Sequence, residues 1–119
     1  MLELDLTAQV GGFNIKAAFQ AGSGVTALFG PSGAGKTSLV NMLAGLLQPA
    51  SGRIVVQGNV LFDSRQGIDL PPEHRRLGYV FQESRLFPHF TVASNLSYGR
   101  RLATKSRALV DFDAVVDLL

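Results

Sequence analysis

The sequence predicts an α/β fold in which a β-strand, a glycine-rich loop and an α-helix follow one another. Residues 25–29 form a short apolar run, which is typical of a strand covered on both faces. Glycines then recur through a tight loop at Gly30, Gly33 and Gly35. After the loop, apolar residues recur at helical spacing, which predicts a helix over 37–47. They are Leu39, Met42, Leu43, Leu46 and Leu47.

Two strands are predicted before this unit, over residues 2–19. Apolar residues alternate with polar ones first at Leu2, Leu4 and Leu6. They alternate again at Phe13, Ile15, Ala17 and Phe19. Gly11 and Gly12 lie between the two runs and signal a turn. The pattern therefore predicts an antiparallel pair of strands.

More strands are predicted after the helix. Residues 49–52, Pro-Ala-Ser-Gly, are expected to end the helix. Strands are predicted over 53–57 and 60–62, around Gly58 and Asn59, and again over 77–81. The stretch 63–76 is polar, and Pro71 and Pro72 are expected to exclude regular structure there. Helices are predicted over 91–98 and 107–119.

Composition limits the classes of function. The 119 residues suit one small domain, and 46% of them are hydrophobic, so the chain can build a core. The net charge of +2 comes without a long basic stripe, so a nucleic-acid partner is not predicted. The absence of cysteine excludes a disulfide framework. No apolar run reaches the roughly 20 residues that span a bilayer, and a cytoplasmic chain is expected.

The glycine-rich loop fits the phosphate-binding pattern G-x-x-x-x-G-K-[ST], the Walker A motif of P-loop NTPases, over residues 30–37. Its glycines allow backbone N–H groups to approach an anion, and the helix that follows adds a partial positive charge. We predict that Lys36 reaches the β- and γ-phosphates of ATP and that Thr37 ligates Mg²⁺. The predicted nucleotide-binding set is Gly30, Pro31, Ser32, Gly33, Ala34, Gly35, Lys36, Thr37 and Ser38. The alternative is a glycine-rich turn that holds no anion.

The chain resembles the ATP-binding subunits of ABC transporters over essentially its whole length. The resemblance lies in ALFGPSGAGKTSL (27–39), AGL (44–46), P-x-S-G (49–52), GYVFQ (78–82), LFPH (86–89) and V-x-x-N-L-x-Y-G (92–99). Within that family, G-I-x-L-P-P-E-x-R-R-x-G-Y-V-F-Q (67–82) and RLFPH (85–89) look like the ATPase subunit of molybdate importers. MLEL (1–4) and N-V-L-x-D (59–63) fit as well. Related importers of sulfate, iron or polyamines share the general blocks and stay as alternatives.

The resemblance implies roles and partners. Gln82 matches the Q-loop glutamine, which contacts Mg²⁺ and the attacking water, so Lys36 and Gln82 are the expected catalytic residues. Residues 1–82 are expected to form the nucleotide core and β subdomain, and 83–119 the start of a helical subdomain. The expected partners are a second ATPase subunit in a homodimer, membrane-spanning permease subunits and an external binding protein. The permease would hold the subunit at the inner face of the membrane.

Several motifs of the family do not occur in the 119 residues: the LSGGQ-like signature, the Walker B strand that ends in Asp-Glu, and the switch histidine. The resemblance therefore implies the N-terminal part of one nucleotide-binding domain, with ATP binding but without efficient hydrolysis. A GTPase would need an Asn-Lys-x-Asp motif, which is absent. A binding-only module is the remaining alternative.

Two features keep more than one interpretation. Phe13 is the nearest candidate for stacking on adenine, as aromatic residues of this family often do, but it fits the alternating strand pattern and packing is favoured. Residues 74–76, His-Arg-Arg, form either a basic patch or a solvated loop face, and the solvated face is favoured. His89 is not expected to be catalytic.

Overall fold

A computed structural model describes residues 1–31, 33, 35–83 and 85–102 of the chain. The chain divides into two compact units, Met1–Tyr79 and Val80–Leu119. The helix predicted over 107–119 lies outside the described residues. So do two members of the predicted loop, Ser32 and Ala34.

A five-stranded antiparallel sheet with the order β2-β1-β3-β4-β5 forms the first unit, together with one α-helix. The strands are β1 (Leu2–Val10), β2 (Phe13–Ala21), β3 (Ser51–Val56), β4 (Asn59–Asp63) and β5 (Ile68–Asp69). The helix is α1 (Lys36–Ala44), and a 3-10 turn covers Pro72–His74. The predicted combination of strands with a helix is therefore confirmed.

The N-terminal hairpin agrees with its prediction. β1 and β2 pair antiparallel from Leu2 opposite Ala21 to Val10 opposite Phe13. Gly11 and Gly12 both have positive φ, at 55° and 77°. Glycine adopts this backbone without strain, and turns of this kind match the twist of the flanking strands. The alternating apolar pattern thus forms one face that is buried at Leu4, Leu6, Ala8 and Ile15, whereas Phe13 beside the turn is 50% exposed.

The second hairpin differs from its prediction by one residue. β3 and β4 are joined through Gln57 and Gly58, which have φ of 49° and 80°, whereas the turn was predicted at 58–59. The polar stretch that follows contains β5 and the 3-10 turn, so the prediction that prolines exclude regular structure there is wrong. Pro72 begins the 3-10 turn, where a backbone N–H is not needed.

The first helix ends earlier than predicted. Gly45 has φ of 85°, its N–H bonds to Met42 O at 3.3 Å, and the N–H of Leu46 bonds to Asn41 O at 2.8 Å. This is the Schellman arrangement, in which a left-handed glycine closes the helix. The prediction that 49–52 ends the helix is wrong, because Gly45 already does so and Ser51 begins β3.

The core lies between one face of the sheet and α1. The helix contributes Leu39 and Met42, of which Met42 is fully buried. The sheet contributes Leu4, Leu6, Ala8, Ile15, Ile54, Leu61 and Phe62. Burial of this apolar surface is what fixes α1 on the sheet, since the helix is too short to be stable alone.

The strands predicted over 25–29 and 77–81 are not formed. Both segments are irregular, and Val25, Phe29 and Val80 are almost completely exposed, at 102%, 93% and 96%. A strand buried on both faces needs a hydrogen-bonding neighbour and a covering layer. In the part of the chain that the structure describes, neither segment has a strand paired with it. Apolar composition predicts burial, but it does not specify the neighbouring strands with which such a segment would pair.

The second unit contains the helix α2 (Val92–Leu102), which was predicted over 91–98. Thr91 caps it, since its hydroxyl accepts the N–H of Ser94 at 3.1 Å. Within the described ranges, neither α-helix has the length and apolar character required to cross a membrane.

Candidate phosphate-binding site

The glycine-rich loop has a backbone that glycine alone adopts easily. Gly33 and Gly35 have φ of 83° and 90°. A residue with a Cβ at either position would be strained. Gly35 is also packed closely, because a Cβ there would lie 3.0 Å from Cδ1 of the buried Ile15 on β2. The end of the loop therefore rests directly on the sheet.

The start of α1 is open to an anion. Gly35 occupies the cap position without a side-chain cap, and the first turn carries no acidic residue. The first N–H groups of a helix have no partner inside it, and they lie at the positive end of its dipole. Thr37 is exposed, and Ser38 is partly exposed beside it. Two hydroxyls thus accompany the open N–H groups.

Lys36 closes the loop on itself. Its ammonium donates a hydrogen bond to the carbonyl of Gly30, six residues earlier. The first and seventh residues of the predicted motif are therefore in contact, and Pro31 and Gly33 lie exposed between them. The structure thus brings Gly30, Lys36 and the helix start together, as the motif requires.

Arg75 is buried, which the sequence did not predict. Only 4% of it is exposed, so the prediction of a solvated face is wrong for Arg75, while it holds for the exposed His74 and Arg76. Its Nη1 donates to the carbonyls of Met42 and Leu43, both at 3.0 Å. These carbonyls lie in the last turn of α1, where a cation is favoured by the helix dipole.

The same guanidinium also binds the loop that precedes it. Nε donates to Leu70 O at 2.8 Å, and Nη2 pairs with Asp69 at 2.9 Å. Burial lowers the pKa of Arg75, and the Asp69 carboxylate opposes that shift. An arginine stays charged even so. Gly45 leaves room for this group, since a Cβ there would lie 2.7 Å from Nε.

No local pattern pointed to this contact, because Arg75 meets carbonyls 32 and 33 residues earlier in the chain. A basic residue beside prolines in a polar stretch ordinarily faces solvent. Long-range pairing with a helix end is visible only after the chain is folded.

Gln82 belongs to the second unit, where it is exposed in an irregular segment. Nearby in the chain, the guanidinium of Arg85 lies 4.5 Å from the ring centroid of Phe81. The role of Gln82 as a catalytic and Mg²⁺-contacting residue stays a prediction.

A partly exposed aromatic cluster follows in the same unit, formed by Phe87, His89, Phe90 and Tyr98. The rings of Phe87 and Tyr98 lie 4.7 Å apart, and those of His89 and Phe90 lie 4.3 Å apart. Asn95 on α2 organises the loop, because it accepts the N–H of Phe87 at 2.8 Å and donates to Thr91 O at 2.9 Å. Asn95 belongs to the stretch 92–99 that carries the family resemblance, but this role in the loop was not predicted. The His89 ring packs against the rings of Phe87 and Phe90.

A concavity lies elsewhere, on the sheet face opposite the core. It has a volume of about 780 Å³, and its lining includes Glu3, Asp5 and the ion pair of Arg53 with Asp63. Both signs of charge are present, and its described lining residues include none from the loop 30–35 or the start of α1. Phosphate chemistry therefore favours the loop at 30–38 over this surface.

The comparison with protein families decides the assignment. The family model described as "ABC transporter" matches residues 13–118. The chain belongs to the ABC transporter family. The resemblance and the P-loop α/β fold class predicted from the sequence are confirmed by this match.

Relatives within the ABC family are much longer than this chain. It is 57% identical, over all of its length, to the "Molybdenum import ATP-binding protein ModC" of Paramagnetospirillum magneticum and covers 33% of that protein. The protein of the same name from Rhodospirillum rubrum is also 57% identical and is covered to 32%. That from Mesorhizobium japonicum is 50% identical over 99% of the chain and is covered to 32%. The chain thus spans about a third of the relatives it matches.

Proposed function

We propose that this chain is the nucleotide-binding part of an ATP-driven importer subunit and that the loop 30–38 holds the phosphates of ATP. The observation that carries the proposal is the open start of α1, together with the hydrogen bond from the Lys36 ammonium to the loop carbonyl of Gly30. Gly30, Gly33 and Gly35 would supply backbone N–H groups without a Cβ in the way. Ser38 would add a hydroxyl to the phosphates.

Lys36 is the residue that would neutralise the β- and γ-phosphates. Its ammonium already lies at the loop, on the Gly30 carbonyl. A phosphate oxygen is a stronger acceptor for an ammonium than a neutral carbonyl, because the hydrogen bond is then charged on both sides. Exchange of one acceptor for the other would therefore favour the bound nucleotide.

Thr37 fits Mg²⁺ as a ligand, since its residue is exposed at the first turn of α1 and a hydroxyl oxygen suits a hard cation. Mg²⁺ would neutralise charge on the phosphates when it is bound. Gln82 is proposed as the second protein contact to Mg²⁺ and as the residue that orients the attacking water. That role is supported by its place in GYVFQ alone.

The whole protein is proposed to hydrolyse ATP and to drive the uptake of molybdate. The names of the two relatives that are 57% identical support this substrate, as does the stretch 67–89. Sulfate, iron or polyamine import is the alternative. Residues 1–119 are proposed to bind ATP without efficient hydrolysis, because the signature and Walker B residues would come from other parts of the protein and from a second copy.

The permease is proposed to contact the aromatic cluster of the second unit. Leu86 and Val92 beside the cluster are 71% and 77% exposed, and aromatic and apolar side chains are favoured at the centres of interfaces. Asn95 would keep the loop in shape for that contact. The subunit would thus be held at the inner face of the membrane, with residues 1–82 as nucleotide core and 83–119 as the start of the helical subdomain.

The proposal is tested by uptake in cells that lack their own molybdate importer. The full-length subunit, its permease and its binding protein should restore uptake of molybdate, and a tenfold excess of sulfate should not compete. Competition by sulfate would reject molybdate as the preferred substrate. ATP binding without any uptake, in a correctly assembled complex, would instead indicate a binding-only module.

A further inference from the structure

The segment 69–79 is fixed to the C-terminal half of α1 by two side chains. Arg75 reaches the carbonyls of Met42 and Leu43. The hydroxyl of Tyr79 bonds to Oδ1 of Asn41, at 2.5 Å. Both contacts lie within the first unit. The segment 69–79 is therefore bonded to α1 and not to the edge of the sheet alone.

The Arg75 contact is suited to hold the segment 69–79 in a fixed orientation relative to α1. A guanidinium is a planar, rigid fork, and here three of its nitrogens are occupied, by Leu70 O, by Asp69 and by the two helix carbonyls. A lysine has a single flexible ammonium and does not hold several acceptors in fixed directions. The residue is buried, so water does not easily replace any of these bonds.

The other end of α1 is the phosphate loop. The helix has nine residues and is anchored in the core by Leu39 and Met42. At 1.5 Å per residue it is about 14 Å long, so the loop and the Arg75 contact lie at the two ends of one short helix. Two residues then separate Tyr79 from Gln82 along the chain.

We propose that Arg75 is a positioning residue, which joins α1 and residues 69–79 into one rigid piece and so passes phosphate occupancy at the loop along the chain to Gln82. Tyr79 supports the same connection. The inference rests on the proposed function, because it requires that the loop holds ATP.

The test is hydrogen exchange of peptides that cover residues 80–90, in the full-length subunit, with and without saturating Mg-ATP. The variants are Arg75→Met, Arg75→Lys and, as a matched control, Asp69→Asn. Wild type should show an ATP-dependent change of exchange in these peptides. Arg75→Met should still bind Mg-ATP and lose that change, and Arg75→Lys should lose most of it. Asp69→Asn should keep it, because the bonds to the helix carbonyls remain.

A purely structural role gives a different result. Arg75→Met would then melt at a lower temperature but, measured well below that temperature, would show the same ATP-dependent change as wild type, and this result would overturn the proposal. Tyr79→Phe removes one hydroxyl and keeps the ring, so it serves if Arg75→Met does not fold. If Tyr79→Phe and Arg75→Lys both showed the same ATP-dependent change of exchange as wild type, the proposal would equally be overturned.

Failure of the proposed function is distinguishable from failure of this inference. Wild type that does not bind Mg-ATP would reject the phosphate site itself. Wild type that binds Mg-ATP with no change of exchange at 80–90, or with a change that Arg75→Met shares, would reject only the role of Arg75.

Discussion

Replacing Lys36 with alanine should weaken binding of Mg-ATP to the full-length subunit by roughly 10- to 150-fold. The estimate is that of one hydrogen bond to a charged group, about 1.5–3 kcal/mol, converted at 1.4 kcal/mol per factor of ten. The loop should otherwise stay intact, because its bends come from Gly33 and Gly35 and its packing from Ile15. Isothermal titration calorimetry measures the change.

Lys16→Ala is the matched control for the loss of a lysine. Lys16 is exposed on β2, opposite Thr7. Its substitution removes the same charge from a different place. Its affinity for Mg-ATP should equal that of wild type. Equal losses in both variants would show that general charge, and not the loop, governs binding.

Replacing Gly52 with alanine should destabilise the protein by about 2–6 kcal/mol, the sum of backbone strain and overpacking. Gly52 has φ of 128°, and a Cβ there would lie 2.0 Å from the carbonyl oxygen of Asp5. Gly52 is paired with Leu6 in the centre of the sheet, so β1 and β3 would have to separate. Its N–H also bonds to Ser64 Oγ at 3.0 Å.

Gly58→Ala is the control that separates the cost of the steric clash at Gly52 from the cost of a positive φ. Gly58 has φ of 80°, but nothing lies within 4 Å of a Cβ at that turn. The cost there should be about 1–2 kcal/mol, the strain of a left-handed residue alone. Thermal unfolding and soluble yield of the full-length subunit compare the two variants. Equal shifts would contradict the predicted close approach of β1 and β3.

Local patterns explain what the sequence predicted well. The hairpin at Gly11 and Gly12 follows from alternation on either side of two glycines. The bends of the loop at 30–37 follow from the motif, which places glycine at positions 33 and 35, where φ is positive. Both depend on neighbours in the chain, so neither requires knowledge of distant contacts.

The failures depend on distant partners. The segments 25–29 and 77–81 are apolar enough to be buried strands, yet strand formation requires hydrogen-bonding neighbours that local composition does not specify. The prediction that Arg75 is solvated fails for the opposite reason. A charged residue in a polar loop here has hydrogen-bond partners at the end of α1. Gly52 was read as part of a helix stop, although its actual constraint is the backbone of β1.

The phosphate dependence of binding tests the central claim most directly. The full-length subunit is titrated with ATP, ADP, AMP and adenosine in the presence of Mg²⁺. Because Lys36 and the start of α1 are proposed to hold the β- and γ-phosphates, ATP should bind far more tightly than AMP, and adenosine should bind as weakly as AMP. Equal affinities for ATP and AMP would contradict the assignment of residues 30–38 as the phosphate site.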